Sequence, residues 1–254
     1  MLRLPLEQQL LILIQAAALL GLSIRIWWTA LHRVYMYFFG YLILALAQTC
    51  VPVFVPFDSP RYRDIWLVTE GLIVCFYVLV VLELYSIVLQ NLAGIASLSR
   101  RYIQVALAVA ILISLLLLGL EKMRGGMVAH FLTFERAIVF SLLLFVLFIT
   151  AFLVYYPVPL KRNVIIYSIG YAVYFLAKAS SIFIYNLGYY WNRIVNNTWL
   201  AASLACLLFW LFALNRRGET KTVVIGHQWN PTDEQRLLAQ LKAINSSLLR
   251  AARK

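Results

Sequence analysis

The chain has 254 residues, of which 63% are apolar or aromatic and only 13% are charged. A soluble globular protein carries roughly 25% charged residues, so this composition excludes a sizeable water-soluble domain and is typical of a chain surrounded by lipid. The 22 lysines and arginines against 10 acidic residues could indicate a nucleic-acid binder, but the cations flank apolar runs or follow residue 214. That placement favours lipid headgroups, so we expect the lipid bilayer and no nucleic acid as a partner.

Seven apolar runs are long enough to cross a bilayer, which takes ~20 helical residues. Backbone amide and carbonyl groups cannot stay unpaired in lipid, so each run is predicted to be helical. The runs cover residues 10–28, 34–57, 65–91, 102–120, 137–155, 164–187 and 198–214. The sequence therefore predicts an all-α polytopic membrane protein, with a bundle of seven transmembrane helices in residues 1–214 and a cytoplasmic basic tail with a short amphipathic helix in 215–254.

The first run is expected to be a retained helix with its N-terminus outside. Arg3 before the run could indicate a signal peptide, but no small-x-small cleavage site follows and Glu7 stands where the apolar region of a signal should begin. With the N-terminus outside, fourteen cations fall on the cytoplasmic side, the tail included, and seven fall outside. The positive-inside rule then predicts an external N-terminus and a cytoplasmic C-terminus.

Three charged residues lie well inside the predicted spans, where a charge costs a few kcal/mol and is a functional candidate by default. They are Glu70 and Glu83 in the third run and Lys178 in the sixth. At ~1.5 Å per residue, Lys178 matches Glu70 in depth and reaches Glu83 only if the helices tilt or shift. Gln48 and Tyr174 are polar neighbours that could complete a cavity. A structural ion pair, an external-facing ligand or ion pocket and a proton relay all stay open.

The longest predicted external loop covers residues 121–136. It contains Gly125, Gly126, His130 and Glu135, and Glu135 is one of the acids that balance the external cations. We expect a solvated connector here, with a small lid as the alternative.

The sequence lacks the groups that common intramembrane enzymes and cofactors need. It contains no HExxH, GxSxG, P-loop or CxxC motif, so we do not expect an enzyme. The histidines, His32, His130 and His227, fall in predicted loops or in the tail, so no pair can hold a haem iron inside the bundle. Retinal proteins carry their lysine on the seventh helix, whereas Lys178 lies in the sixth run. We expect no metal and no cofactor.

The tail is predicted to contain a linker, an extended segment and a helix. Residues 215–221 are basic and polar, and the β-branched residues of 222–225 favour an extended segment. Asn230 and Pro231 predict a helix start, with the helix covering about 231–250. One apolar stripe on it consists of Leu237, Leu241, Ile244 and Leu248. The stripe could lie on the inner leaflet, pair in a homodimer, contact a cytoplasmic protein partner or pack on its own bundle.

The tail motifs GHQWNP at 226–231 and NSSLLR at 245–250, together with the seven-span layout, resemble bacterial seven-helix membrane proteins for which no activity is established. The resemblance implies only a bacterial inner (plasma) membrane. Our leading hypothesis is a receptor-like or sensory bundle that couples an external-facing pocket near Lys178 and Glu70 to the cytoplasmic tail. The alternatives are a small transporter or channel that uses Glu83, Glu70 and Lys178, and a structural or accessory membrane subunit.

Overall fold

The structure, a computed structural model, describes residues 6–56, 59–88, 127–155, 159–187 and 192–224, and eight positions between 235 and 247. Its helices are α1 Leu6–Trp28, α2 Met36–Phe54, α3 Pro60–Val88, α4 Met127–Tyr155, α5 Arg162–Leu187 and α6 Asn192–Ala213. Five of these are long and apolar enough to cross a membrane, and the apolar part of α2, Met36–Pro52, is shorter. The described part is therefore that of a membrane-embedded helical protein.

The predicted all-helical membrane architecture is confirmed, while the count of seven is not. The run 102–120 lies outside the described residues, and each of the other six runs coincides with one helix. The helices end within three residues of the predicted positions, but several begin earlier. The largest difference is α4, which begins at Met127 where the apolar run begins at 137.

Several helices begin before their apolar runs because polar side chains take part in the first turns. Ser59 caps α3, since its Oγ accepts the amide of Tyr62 at 3.1 Å, and Pro60 occupies the first helical position, where a missing N–H costs nothing. After the C-terminal end of α1, Ala30 adopts a left-handed conformation with a φ of 57°, and the chain then turns through the 3-10 helix Leu31–Arg33. A hydropathy window detects neither the Ser59 cap nor the turn at Ala30.

The six helices form a ring. Each packs against the next in the described order, α1 packs against α6 to close the ring, and α3 also contacts α5. One cavity is lined by residues from the N-terminal parts of α1, α3, α4 and α6 and from the C-terminal parts of α2 and α5. These six helix ends therefore lie at the same end of the bundle. We call this the cavity end.

A short segment after α6 folds back on the opposite end of the bundle. It contains the 3-10 helix Arg216–Glu219 and the strand β2, Thr222–Val224, which pairs antiparallel with β1, Pro159–Lys161, just before α5. The extended segment predicted from residue 222 is thereby confirmed for Thr222–Val224. Residues 215–221, interpreted as a linker, are instead a folded turn, because Asn215 and Glu219 find partners on the bundle. We call residues 214–224 the docking segment.

The four residues of the predicted tail stripe, Leu237, Leu241, Ile244 and Leu248, lie outside the described residues. The eight described positions between 235 and 247 are helical and exposed. The membrane-surface, homodimer and partner-binding roles of the tail stay predictions.

Candidate functional site

A cavity of about 820 Å³ lies at the cavity end of the ring. This volume is typical of small-molecule sites, which run from roughly 300 to 1,000 Å³. The wall combines aromatic, amide and apolar side chains from all six helices. The lining residues are Gln8, Ile12, Gln15, Gln48, Thr49, Pro52, Tyr62, Arg63, Trp66, Glu70, Val128, Leu132, Glu135, Lys178, Ser181, Ile182, Val195, Asn196, Trp199 and Leu200.

The floor of the cavity is a buried group of three charged residues, Glu70, Glu135 and Lys178, which we call the triad. Lys178 Nζ lies 2.6 Å from Glu70 Oε1 and 2.6 Å from Glu135 Oε1. Glu135 is 1% exposed, and the other two residues are 7% exposed. Because α3, α4 and α5 each supply one member, the triad joins three neighbouring helices at one depth.

Lys178 has further contacts below the two carboxylates. Its Nζ donates to Tyr77 Oη at 3.0 Å and lies 4.9 Å from the centre of the Tyr77 ring and 5.6 Å from that of Trp199. Cation–π contact of this kind adds to the ion pairs where water is excluded. The ammonium is thus held by two carboxylates and by the aromatic rings of Tyr77 and Trp199.

The sequence-predicted candidates Lys178, Glu70 and Gln48 meet in this cavity. Gln48 Nε2 donates to Glu70 Oε2 at 2.7 Å and lies within hydrogen-bond distance of Thr69 Oγ1 at 3.2 Å. Tyr174 lies one step deeper, where its Oη is 2.8 Å from the Oη atoms of Tyr77 and Tyr41. Tyr174 is therefore hydrogen-bonded to the triad through Tyr77.

Glu83 lies away from the cavity, toward the docking-segment end of α3. Its Oε1 accepts the amide of Tyr37 at 3.1 Å, and its Oε2 accepts the amide of Phe38 at 3.4 Å. These are first-turn amides of α2, which has no side-chain cap of its own. The carboxylate therefore satisfies donors that would be orphaned in an apolar environment, and it faces the positive end of the helix dipole.

Sequence reasoning missed Glu135, which was assigned to the solvated loop 121–136. That assignment is wrong because α4 begins at Met127, so both His130 and Glu135 are helical, with His130 exposed and Glu135 buried. A signal was present: Val128, Leu132 and Glu135 follow one another at spacings of four and three, which places them on one helix face. An acid on the buried face of a helix is a partner for a buried cation.

A second polar network fixes the docking segment to the opposite end of the bundle. Glu219 Oε1 accepts from Tyr35 Oη at 2.7 Å and from Asn163 Nδ2 at 2.9 Å, while its Oε2 lies 3.2 Å from Lys161 Nζ. Burial, together with the hydrogen bond to Glu219, raises the pKa of Tyr35, so its hydroxyl stays a donor. The network connects the start of α5 to the docking segment, which is the first part of the predicted tail.

The backbone of the docking segment is tied down as well. Asn163 Nδ2 donates to the carbonyl of Asn215 at 2.8 Å, and an arginine of α1, Arg25, donates to the carbonyl of Leu214 at 3.0 Å. The amide of Gly218 donates to Asn215 Oδ1 at 2.7 Å. A side chain at Gly218 would collide with Asn163, so the turn packs directly on α5.

Comparison of this chain with known protein families, curated proteins and solved structures finds no match in any of the three. Among the described residues, no group of three or more histidine, cysteine or acidic side chains could hold a metal ion. Function is therefore inferred from the cavity, the triad and the docking segment.

Proposed function

We propose that this protein is a receptor-like or sensory bundle, in which a small molecule bound in the cavity changes the docking segment and the tail beyond it. The observation that carries the proposal is that one helix, α5, contributes residues both to the cavity and to the contacts of the docking segment. Lys178 of α5 forms the cavity floor, and Asn163 in the first turn of α5 holds the docking segment. A shift of α5 at one end is therefore transmitted to the other, ~22 Å away at ~1.5 Å per residue.

The proposed bundle has seven crossings. Helices α3 and α4 both begin at the cavity end, and Trp66 and Phe131 near those starts are in ring contact at 6.0 Å. One returning crossing by the predicted run 102–120 would explain why two successive described helices run in the same direction. Residue 8 and the docking segment lie at opposite ends of the bundle, as an odd number of crossings requires.

The cavity is proposed to open outside and the docking segment to face the cytoplasm. The cations Arg25, Lys161, Arg216 and Lys221 cluster at or near the docking-segment end. The positive-inside rule favours the cytoplasm for that end. A bacterial inner membrane enters the proposal through the resemblance of the tail motifs.

An ion or proton path remains the alternative, and the geometry supports it less well. Such a path was expected to use Glu83 with Glu70 and Lys178. Both oxygens of Glu83 are instead bound to backbone amides of α2, at the other end of α3 from Glu70. A carboxylate that caps a helix is a poor carrier, because each protonation would weaken its charge-assisted hydrogen bonds to those amides.

Disulfide formation between β1 and β2 tests the coupling without a known ligand. Leu160 and Val223 are register partners, so cysteines at these positions, in a chain whose native cysteines are replaced by alanine, report whether the docking segment is seated. Filling the cavity with Ser181→Trp displaces the wall that includes α5. We expect the disulfide to form at least about twofold faster or slower in this variant.

The matched control is Ile184→Trp, on the same helix but on an exposed, lipid-facing position. It introduces the same indole side chain without entering the cavity, so disulfide formation should match the parent chain. Equal rates in all three proteins would contradict the coupling.

A further inference from the structure

We infer that the cavity binds a small organic cation, an ammonium ion on an aromatic or aliphatic body, and that Glu135 takes its charge. This inference names the ligand class of the proposed receptor and so rests on that proposed function. It follows from the charge count on the floor, from the lone pairs that Glu135 presents to the cavity and from the wall.

The charges on the cavity floor do not cancel. Glu70 and Glu135 together supply two carboxylates, and Lys178 supplies one ammonium. The remaining cation of the lining, Arg63, sits at the mouth with an exposed side chain and is matched by Asp64 at 3.3 Å. Buried charge that lacks a partner is costly, so the floor needs one more positive charge, which a proton on one carboxyl supplies in the empty cavity and an ammonium group supplies when it binds in place of that proton.

Glu135 is the member of the triad that has room for that charge. Both oxygens of Glu70 already accept hydrogen bonds, Oε1 from Lys178 and Oε2 from Gln48. Glu135 Oε1 lies 2.6 Å from Lys178 Nζ, and its residue is 1% exposed and lines the cavity. A carboxylate has about four lone-pair sites, so Glu135 can accept a further N–H group from the cavity.

An anionic ligand does not fit the same floor. Three oxygens, from Glu70, Glu135 and Tyr77, already lie within 3.0 Å of Lys178 Nζ, as many as the ammonium has N–H groups. An anion would therefore meet two carboxylates without gaining a free donor. The sign of the ligand charge is set by the carboxylates.

The wall above the floor suits an organic body rather than a hydrated metal ion. Tyr62, Trp66 and Trp199 supply aromatic surface, and Ile12, Leu132 and Ile182 supply apolar surface. Aromatic faces attract ammonium groups, and Lys178 already uses the Trp199 ring in this way at 5.6 Å. A ligand with a cationic head and an apolar body would use both parts of the cavity.

Matched probes test the sign of the charge in the full-length protein. We would measure equilibrium binding to the protein in lipid nanodiscs, with empty nanodiscs as the background, for ammonium, neutral and carboxylate derivatives of the same indolyl, phenyl and hexyl bodies. The ammonium derivatives should bind about ten- to a hundredfold more tightly than the neutral ones, and the carboxylates most weakly. Carboxylates that bind as tightly as the ammonium probes, or an absence of binding by every ammonium probe, would overturn the assignment.

Two variants with the same chemical change locate the charge contact. Glu135→Gln keeps the volume and removes the charge, and it should weaken ammonium binding by about ten- to a hundredfold. Glu83→Gln removes a carboxylate from α3 outside the cavity and should leave the affinity within about twofold of the parent. Equal effects of the two substitutions on ammonium binding would show that Glu135 is not the charge contact. If a variant folds poorly, the probe series in the parent chain still tests the sign of the ligand charge.

The 160–223 disulfide, measured with the same probes, separates this inference from the proposed function. An ammonium probe that binds through Glu135 but leaves disulfide formation unchanged would uphold the ligand class and contradict the receptor proposal. A change in disulfide formation with the neutral or carboxylate probes alone would uphold the receptor proposal and overturn the ligand class.

Discussion

Replacing Lys178 by methionine is expected to lower the free energy of unfolding by about 3–5 kcal/mol, the usual effect of removing one partner from a buried ion pair. The substitution leaves Glu70 and Glu135, 7% and 1% exposed, beside each other without their cation. Nearby Tyr77 and Gln48 can donate hydrogen bonds but cannot supply charge. Denaturant unfolding of the purified protein in micelles measures the loss.

The triple variant Lys178→Met, Glu70→Gln, Glu135→Gln separates charge from shape. It keeps three side chains of similar volume and removes every formal charge of the triad. Because neutral, well-packed replacements of buried ion pairs are often close to neutral in stability, the triple variant should recover most of the loss. If the free energy of unfolding of the Lys178→Met variant were within about 1 kcal/mol of that of the parent, the triad would be solvated rather than buried.

Gly170→Ala on α5 is expected to destabilise the bundle by about 1–3 kcal/mol through overpacking. A Cβ at this position would come within 2.5 Å of Trp210 Cε2 and 2.9 Å of its Cζ2. The Trp210 ring is fully buried and cannot move aside, because Phe38 and Tyr171 lie against it at ring distances of 5.1 and 4.8 Å. Small residues at helix contacts in membranes allow this kind of close approach.

Gly21→Ala is the matched control for that substitution. Gly21 lies in α1, and a Cβ there meets nothing within 4 Å. Alanine in a helix interior is favoured over glycine, so Gly21→Ala should be neutral or stabilise by up to about 1 kcal/mol. Equal losses in the two variants would show that α5 does not pack on Trp210 at this point. Unfolding of both proteins in the same micelles gives the comparison.

Much of the fold was predictable because lipid leaves few choices for an apolar run. Each run within the described residues forms one helix, since a backbone in hydrocarbon must pair its own amides and carbonyls. The helix starts were not predictable from hydropathy. Residues such as Ser59 and Glu135 are polar, yet Ser59 caps α3 and Glu135 pairs with a buried cation, and both roles depend on neighbours that a window along the chain does not contain.

The candidate site was only partly predictable for a related reason. Depth along straight helices predicts that Lys178 and Glu70 meet, and the structure places them 2.6 Å apart. The position of a residue along a helix axis does not say which way its side chain faces around that axis. The sequence therefore could not show that Glu70 faces the cavity while Glu83 faces α2. Tyr77 gave no signal, because tyrosines are common in membrane spans and only tertiary contacts make this one a ligand of Lys178.

The docking segment was the least predictable part of the described chain. Residues 215–221 look like a charged linker, and nothing local requires Glu219 to fold back on Tyr35 and Asn163. The β-branched residues at 222–224 do favour a strand, but a strand of three residues needs a partner, and that partner, Pro159–Lys161, is more than sixty residues away in sequence.

Thiol labelling at the cavity floor tests most directly whether water reaches the triad from one face of the membrane. In a chain without native cysteines, Ser181→Cys lines the cavity beside Lys178, and Ile184→Cys faces lipid on the same helix. A membrane-impermeant reagent added to oriented vesicles is predicted to modify the cysteine at 181 from the cavity face alone and to leave the one at 184 unmodified. A cysteine at 181 that reacts from neither face, or equally from both, would contradict a cavity that opens on one side above Lys178.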